Sequence, residues 1–313
     1  MNHVQPTAQM APTVLGTCCV PWRNHGDLDE DLFRSSIRNL HNRGMHDLYI
    51  FGTAGEGHAV CDTRFREVTS VFVEELHALD ADPMVGVISL SLPTMLERLN
   101  FVHSIGVRSV QISLPNWGPI RDSEVRAFFR ETCDSFPDLK FMHYNLSRSG
   151  RLLRPDEYSE LADRHPNLVA TKYGAGEPET VAGLMRGTPQ LTHFFTELGY
   201  YQGAPLGPCG LLSSISSSNP LRARKYFEAG REKDWPTLTT LYRELAGIMV
   251  GIRDCIGRGL MDGAYDKAIA KVAEPNFPLY LLPPYEGASE DAFLKYFSLL
   301  TTLFPSWLPE KLD

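Results

Sequence analysis

The sequence predicts an α/β protein built as a (β/α)8 TIM barrel with an all-helical extension at its C-terminal end. Three features of the chain support this fold. Eight short apolar runs alternate with longer amphipathic runs up to about residue 230. Successive apolar runs begin about 20 to 40 residues apart, which leaves room for a helix in each parallel crossover. The runs are apolar almost throughout, as expected for strands that are buried on both faces of a parallel sheet.

The predicted strands are the short, β-rich apolar runs. In chain order they cover residues 14–22, 46–52, 84–89, 109–114, 139–145, 168–174, 191–197 and 210–214. An open, doubly wound sheet is the competing topology, and it would usually place a G-x-G-x-x-G turn after its first strand. Gly16 instead begins the segment Gly-Thr-Cys-Cys-Val-Pro, which favours the closed barrel.

The predicted helices have apolar residues at helical spacing, and several have a recognisable start. Asp27 and Asp62 precede the first two helices as candidate caps, Pro93 and Pro155 sit in first turns, and Asp122 opens the fourth. The helices between the strands cover residues 29–43, 63–79, 94–105, 122–136, 155–164 and 177–186, with a short one near residue 200.

After the eighth strand the chain continues as helices alone. Residues 220–230 would form the eighth helix of the barrel, and residues 234–255, 261–272 and 290–303 would form further helices. We therefore expect a flexible N-terminal arm (1–13), a catalytic barrel (14–230) and a C-terminal helical extension (231–313).

Composition and charge exclude several classes of protein. The chain has 313 residues, 43% of them hydrophobic and 22% charged, which is ordinary globular usage and argues against disorder. The net charge of −8 argues against a nucleic-acid partner, and no apolar run approaches the ~18 residues of a membrane span. No secretory signal is visible, so a cytoplasmic protein is expected. The six cysteines and ten histidines show no metal-ligand spacing, so we expect neither a metal nor a cofactor.

Lys172 is the most informative polar residue. It lies in an apolar strand, near the C-terminal strand ends where barrels of this kind carry their working residues. Burial lowers the pKa of a lysine and leaves some nucleophilic amine at neutral pH, which is the requirement for attack on a ketone to form a Schiff base. The strand position alone leaves two alternatives open, a lysine paired with a buried carboxylate and one whose ammonium group reaches solvent.

Tyr144 lies at the end of the neighbouring predicted strand. A phenol beside a lysine can carry protons to the carbinolamine and to the leaving oxygen of the product. A core aromatic residue with a satisfied hydroxyl is the alternative.

The segment Gly52-Thr53-Ala54-Gly55-Glu56 is a glycine-rich turn directly after the second strand. Successive backbone N–H groups in such a turn form an anion nest that suits a substrate carboxylate, and Thr53 adds a hydroxyl. A G-x-x-G pattern alone is also typical of an ordinary loop.

Taken in order, these segments resemble the dihydrodipicolinate synthase and N-acetylneuraminate lyase superfamily of pyruvate-handling class I aldolases. The family's G-T-T-G-E turn corresponds to residues 52–56, its Y-N-x-P-x-R-T-G segment to residues 144–150, one residue shorter, and its strand-six lysine to Lys172. Gly210, Ser213 and Pro220 match residues of the family's pattern at the end of strand eight and after it. The resemblance extends from about residue 13 to 220, and the helical tail fits the family too.

The resemblance implies a role for each matching residue. Lys172 would form a Schiff base with a 2-oxo acid, Tyr144 would shuttle protons, and Thr53 would act with Gly52, Ala54 and Gly55 to hold the carboxylate. Further substrate contacts would come from Arg148, which matches an arginine that meets a distal substrate carboxylate, and from Ser213 and Trp117. The resemblance also implies a homo-oligomer, a tetramer or a dimer.

Departures from the family pattern bear on the substrate. Ala54 replaces the second threonine, and Trp117 replaces a tyrosine that relays protons between subunits, which indole cannot do. Trp117 favours the aromatic hydratase-aldolases over a lysine-pathway synthase, whereas Arg148 does not suit a purely aromatic substrate. The predicted function is a Schiff-base lyase or aldolase acting on a pyruvate-type 2-oxo acid. A dehydratase or hydratase-aldolase that uses the same lysine is one alternative, and a non-catalytic 2-oxo acid sensor is another.

Overall fold

The computed structural model describes residues 9–174 and 176–310. Within these residues the strands are β1 Val14–Thr17, β2 Leu48–Ile50, β3 Met84–Gly86, β4 Ser109–Ile112, β5 Lys140–Asn145, β6 Leu168–Tyr173, β7 Thr192–Phe195 and β8 Gly210–Ser213. They follow one another from β1 to β8 in a closed barrel, and their pairing is parallel. The predicted fold class is therefore confirmed.

Helices alternate with the strands up to β8 and continue alone after it. The α-helices of the described residues are α1 Glu30–Asn42, α2 Asp62–Ala78, α3 Leu92–Ser104, α4 Asp122–Phe129, α5 Pro155–Arg164, α6 Pro178–Gly187, α7 Glu197–Gly203, α8 Pro220–Arg231, α9 Trp235–Ile256, α10 Asp262–Ala273 and α11 Glu290–Leu303. Helices α9 to α11 form the predicted C-terminal helical extension. None of the helices that the structure describes is both long enough and apolar enough to cross a membrane.

The chain packs as two compact units. The first unit contains residues 1–13 and 84–212, and the second contains residues 14–83 and 213–313. The predicted division into an arm, a barrel and an extension stays a prediction, and residues 1–8 of the arm lie outside the described residues. In the first unit the Met10 carbonyl accepts a hydrogen bond from the Thr192 hydroxyl, and the Thr13 carbonyl accepts one from Leu211 N.

Several strands are shorter than the sequence predicts. Strand β1 ends at Thr17, although the apolar run continues through Trp22 and stays buried. Trp22 instead forms an isolated antiparallel bridge with Leu28. Apolar character reports burial, and a buried loop has the same character as a paired strand.

The helix starts are partly as predicted. Pro93, Pro155 and Asp122 occupy first turns as expected. The predicted Asp27 cap is wrong, because Asp29 caps α1 by accepting a hydrogen bond from Leu32 N, whereas Asp27 pairs with an arginine of α2. Asp62 is the first residue of α2 rather than a residue before it.

The fourth helix also differs from the prediction. Helix α4 ends at Phe129, and the chain continues as the π-helical turn Arg130–Asp134 where an α-helix to residue 136 was expected. A single π-helical turn is too short for its different period to show in the sequence pattern.

Two buried histidines of the first unit bond to neighbouring hydroxyl groups. His143 Nδ1 lies 2.6 Å from the Tyr158 hydroxyl, and His193 Nδ1 lies 2.7 Å from Thr171 Oγ1. Burial lowers the pKa of His143 to about 3 and that of His193 to about 4. Both rings are therefore neutral at pH 7.

We expect acid to destabilise the protein through His143 and His193. Their folded-state pKa values lie below the ordinary value of 6.5, so the unfolded chain takes up protons below that pH that the native state does not bind. The free energy of unfolding should then fall by about 1.4 kcal/mol per pH unit for each histidine, between about pH 6.5 and pH 4. Urea unfolding at a series of pH values measures this slope. In a His193→Gln variant the slope should be smaller by about 1.4 kcal/mol per pH unit, the contribution of one proton. An unchanged slope would contradict this expectation.

Candidate active site

Lys172 and Tyr144 occupy paired positions on neighbouring strands of the first unit. The register of β5 and β6 sets Tyr144 opposite Lys172 and Asn145 opposite Tyr173. Because side chains alternate along a strand, this register puts Tyr144 and Lys172 on the same face. Only 3% of Lys172 and 7% of Tyr144 are exposed, and Lys172 Nζ lies 3.8 Å from the centroid of the Tyr144 ring. The amine and the phenol ring are therefore in direct contact.

The cross-strand neighbours of Lys172 are aromatic. On its other side β7 places Phe194, which is fully buried, opposite Lys172. A Cβ built on Gly174 would lie 3.7 Å from Tyr144 Oη, so the phenol hydroxyl lies close to the end of β6. The arrangement places a buried amine against the Tyr144 ring, with an aromatic residue on each neighbouring strand and a hydroxyl next to the strand end. This is a setting in which a carbonyl compound could be attacked and protonated.

Arg148 lies in the segment of residues 145–153, and hydrogen bonds between the two ends of this segment hold it in place. The Asn145 side chain donates to Leu153 O and accepts from Leu153 N, both at 2.9 Å, which closes the segment between them. Arg148 is exposed in the 3-10 turn Ser147–Ser149. The nearby Arg151 is held by two carboxylates and by the Ile120 carbonyl. Arg151 is thus a structural group, whereas Arg148 is an exposed residue of the segment.

Trp117 lies in the loop after β4, and 89% of it is exposed. An indole of this exposure has its ring face available for contact with a large apolar group. Its proposed contact with substrate stays a prediction.

Ser213 ends β8 and is fully buried. Its hydroxyl oxygen accepts a hydrogen bond from Ser216 N at 3.1 Å, and its carbonyl accepts one from the Ser216 hydroxyl at 2.9 Å. Ser213 therefore binds the following 3-10 turn Ile215–Ser217 through Ser216, which is a structural role. A role in binding substrate stays a prediction.

The turn of residues 52–57 follows β2 in the second unit and has a tightly folded backbone. Phe51 and Glu56 both have positive φ angles, 60° and 59°. Gly57 N donates to Gly52 O at 3.2 Å, and a Cβ on Gly57 would lie only 2.5 Å from Phe51 O. A left-handed conformation costs a non-glycine residue about 1–3 kcal/mol. The surroundings must therefore stabilise this turn.

The turn presents hydrogen-bond donors. Thr53 is 6% exposed, and in the part of the chain that the structure describes its hydroxyl forms no hydrogen bond with the protein. The same is true of the backbone N–H groups of Thr53 and Ala54 within those residues. Adjacent N–H groups of this kind form a nest that suits an anion.

A buried ion pair between Glu56 of this turn and Lys267 was not predicted from the sequence. Lys267 Nζ of α10 lies 2.6 Å from Glu56 Oε1, and the two side chains are 0% and 1% exposed. Burial lowers the pKa of Lys267, and the Glu56 carboxylate opposes this shift. Removing one partner of such a pair costs about 3–5 kcal/mol, because the other charge is left buried alone. The sequence does contain a signal for this buried lysine, because Lys267 lies three residues after Ala264 and so on the same face of the helix, and Ala264 is buried.

Gln111 is a second buried polar residue that the sequence reasoning missed. It lies opposite Met142 in the register of β4 and β5, and hence on the same face as Tyr144. It is fully buried, and neither Gln111 Oε1 nor Gln111 Nε2 has a partner among the described residues. A polar residue inside an apolar strand was the signal, as it was for Lys172.

Comparison with known proteins gives consistent matches. The model of the dihydrodipicolinate synthetase family matches residues 11–255. A 4-hydroxy-tetrahydrodipicolinate synthase of an Exiguobacterium species is 26% identical over 171 residues, 54% of this chain and 57% of the relative. The synthase of the same name from Exiguobacterium sibiricum is 22% identical over 274 residues, 86% of this chain and 91% of the relative. The chain thus spans little more than half the length of the first of these relatives.

A solved structure shows the same fold. The crystal structure of YagE, a prophage protein of the dihydrodipicolinic acid synthase family from E. coli K12 in complex with pyruvate, superposes with a TM-score of 0.84. The match covers 95% of this chain and 99% of YagE at 17% identity. At this identity the likeness concerns the fold. The family model, in contrast, matches most of the chain, and the chain therefore belongs to the dihydrodipicolinate synthetase family.

Proposed function

We propose that the protein is a lyase or aldolase that forms a Schiff base between Lys172 and the carbonyl carbon of a pyruvate-type 2-oxo acid. The observation that carries the proposal is the buried Lys172 amine in contact with the Tyr144 ring on the adjacent strand. A lysine amine that is held against a proton-donating phenol is suited to attack a carbonyl carbon.

In the proposed reaction the Lys172 amine adds to C2 of the substrate, and water leaves the carbinolamine to give an iminium ion. When the hydroxyl on C4 of the substrate loses its proton, the C3–C4 bond breaks, its electron pair moves to the iminium, and an aldehyde leaves. An enamine remains on the lysine. Protonation of the enamine at C3 and hydrolysis then release pyruvate and the free amine. Tyr144 would supply and remove the protons of these steps, since its hydroxyl lies at the end of the lysine's strand.

The remaining roles follow from the family resemblance. We assign the substrate carboxylate to the turn of residues 52–57, whose donors at Thr53 and Ala54 have no partner among the described residues. Gly52 and Gly55 would allow the backbone to approach the carboxylate, and Arg148 would meet the far end of the substrate.

A dehydratase or aromatic hydratase-aldolase is the second candidate, because Trp117 is almost fully exposed in the loop after β4. An exposed indole could stack on an aromatic aldehyde moiety. This reaction would use the same lysine and the same enamine.

Pyruvate release separates an aldolase, including a hydratase-aldolase, from a dehydratase. The protein would be incubated with a panel of aromatic and sugar-derived 2-oxo acids, and both substrate loss and pyruvate would be measured. Pyruvate formed in equal amount to the substrate consumed is expected for a lyase. Substrate loss without pyruvate would replace the lyase by a dehydratase, and binding without turnover would leave a sensor.

The assembly and the location of the protein are further proposals. A homo-oligomer, either a tetramer or a dimer, is inferred from the resemblance. We likewise propose a cytoplasmic location without a nucleic-acid or membrane partner, supported by the net charge of −8 and by the lack of a long apolar run in the sequence.

A further inference from the structure

Both carboxylate oxygens of Glu56 accept hydrogen bonds from the protein. Its Oε1 accepts hydrogen bonds from Trp22 Nε1 at 2.9 Å and from Lys267 Nζ at 2.6 Å. Its Oε2 accepts one from Leu282 N at 2.7 Å. Three separate segments of the second unit therefore bind the Glu56 carboxylate. Glu56 is the residue before Gly57, which ends the turn.

Lys267 ties the same point to the C-terminal helices. Its Nζ also donates to Tyr280 O at 2.5 Å, so the ammonium group bridges α10, residue 56 and the segment after α10. The start of α10 packs against the turn as well, since a Cβ on Gly263 would lie 3.5 Å from both Ala54 O and Glu56 Cγ. The Lys267 ammonium group and the backbone of α10 at Gly263 thus both lie against the turn.

The backbone of the turn needs such support. Glu56 has a φ of 59° and Phe51 one of 60°, a conformation that non-glycine residues adopt only when their surroundings determine it. The donors of Thr53 and Ala54 lie between these two residues. Their direction depends on Glu56 staying where its three partners hold it.

We propose that Glu56 and Lys267 are positioning residues that orient the Thr53–Ala54 donors for a substrate carboxylate. The pair acts on binding of the 2-oxo acid, not on the bond-making steps at Lys172. The inference rests on the proposed function, since it requires a 2-oxo acid that binds at Lys172. It gives the C-terminal extension a task in substrate binding.

The test measures how much pyruvate is needed to saturate the Schiff base. The full chain is incubated with increasing pyruvate and reduced with borohydride, and the adduct on the Lys172 peptide is quantified by mass spectrometry. In Lys267→Met the half-saturating pyruvate concentration should rise about tenfold or more, because small displacements of binding groups cost one to two orders of magnitude. The adduct at saturation should equal that of the wild type.

Lys271→Met is the matched control. Lys271 lies on the same helix, donates to Pro275 O and Phe277 O and pairs with Glu290. Within the part of the chain that the structure describes, none of these partners belongs to the turn. Its loss should lower the melting temperature while half-saturation stays within about twofold of the wild type. A purely structural role of Lys267 would give the same pattern for both variants, and that result would overturn the inference.

Glu56→Gln keeps the test decisive if Lys267→Met does not fold. This variant preserves the shape of the side chain and one acceptor oxygen, and the same rise in half-saturation is expected. Half-saturation equal to the wild type in a folded Glu56→Gln protein would overturn the inference while leaving the proposed function intact. No adduct on Lys172 in the wild type would instead overturn the proposed function.

Discussion

Replacing Lys172 by methionine should lower turnover by about 10⁴-fold or more, to the level of the background reaction. Methionine fills a similar volume but has no amine, so no covalent intermediate can form. The loss should appear in kcat for any 2-oxo acid that the wild type consumes. Steady-state pyruvate release measures it.

Lys140→Ala is the control for this variant. Lys140 begins β5, the neighbouring strand, and is only partly buried. Its replacement should leave kcat within about twofold of the wild type. Appreciable turnover in a folded Lys172→Met protein would remove the lysine from the mechanism.

Replacing Tyr144 by phenylalanine should lower kcat by about 10²–10⁴-fold, the usual contribution of a positioned acid or base. The ring that contacts Lys172 Nζ would remain, so the lysine should keep its position and the change isolates the hydroxyl. Because the lysine nucleophile is retained, the borohydride-trapped adduct should still form, but more slowly. Single-turnover kinetics separates the rate of adduct formation from the rate of product release.

Tyr158→Phe is the matched control for the loss of a buried phenol. Its hydroxyl bonds to His143 Nδ1 at 2.6 Å, away from Lys172, and burial raises its pKa well above the ordinary value. This variant should lose stability and keep kcat. A Tyr144→Phe protein with the kcat of the wild type would contradict the proton-shuttle role.

The catalytic pair illustrates what the sequence predicts well. A lysine in an apolar strand and a tyrosine at the end of the strand before it were enough to propose a Schiff-base site, because parallel strands bring their carboxyl ends to one edge. The register that sets Tyr144 opposite Lys172 needed the structure, since β5 and β6 shift register between Phe141 and Met142. A strand pattern does not reveal such an irregularity.

The Glu56–Lys267 pair illustrates what the sequence did not reveal. The two residues are far apart along the chain, and each has an ordinary explanation on its own, a loop carboxylate and a helix lysine. Their contact depends on how α10 packs against the residues after β2, which local periodicity does not contain. The length of β1 was missed for a related reason, because residues up to Trp22 are buried without strand pairing.

Borohydride reduction of the wild-type protein in the presence of pyruvate shows whether Lys172 forms a Schiff base. The reduced protein would be weighed intact, digested and mapped by mass spectrometry. We expect one pyruvate-derived adduct per chain, located on the peptide that contains Lys172. The absence of an adduct, or an adduct on another lysine with Lys172 unmodified, would contradict it.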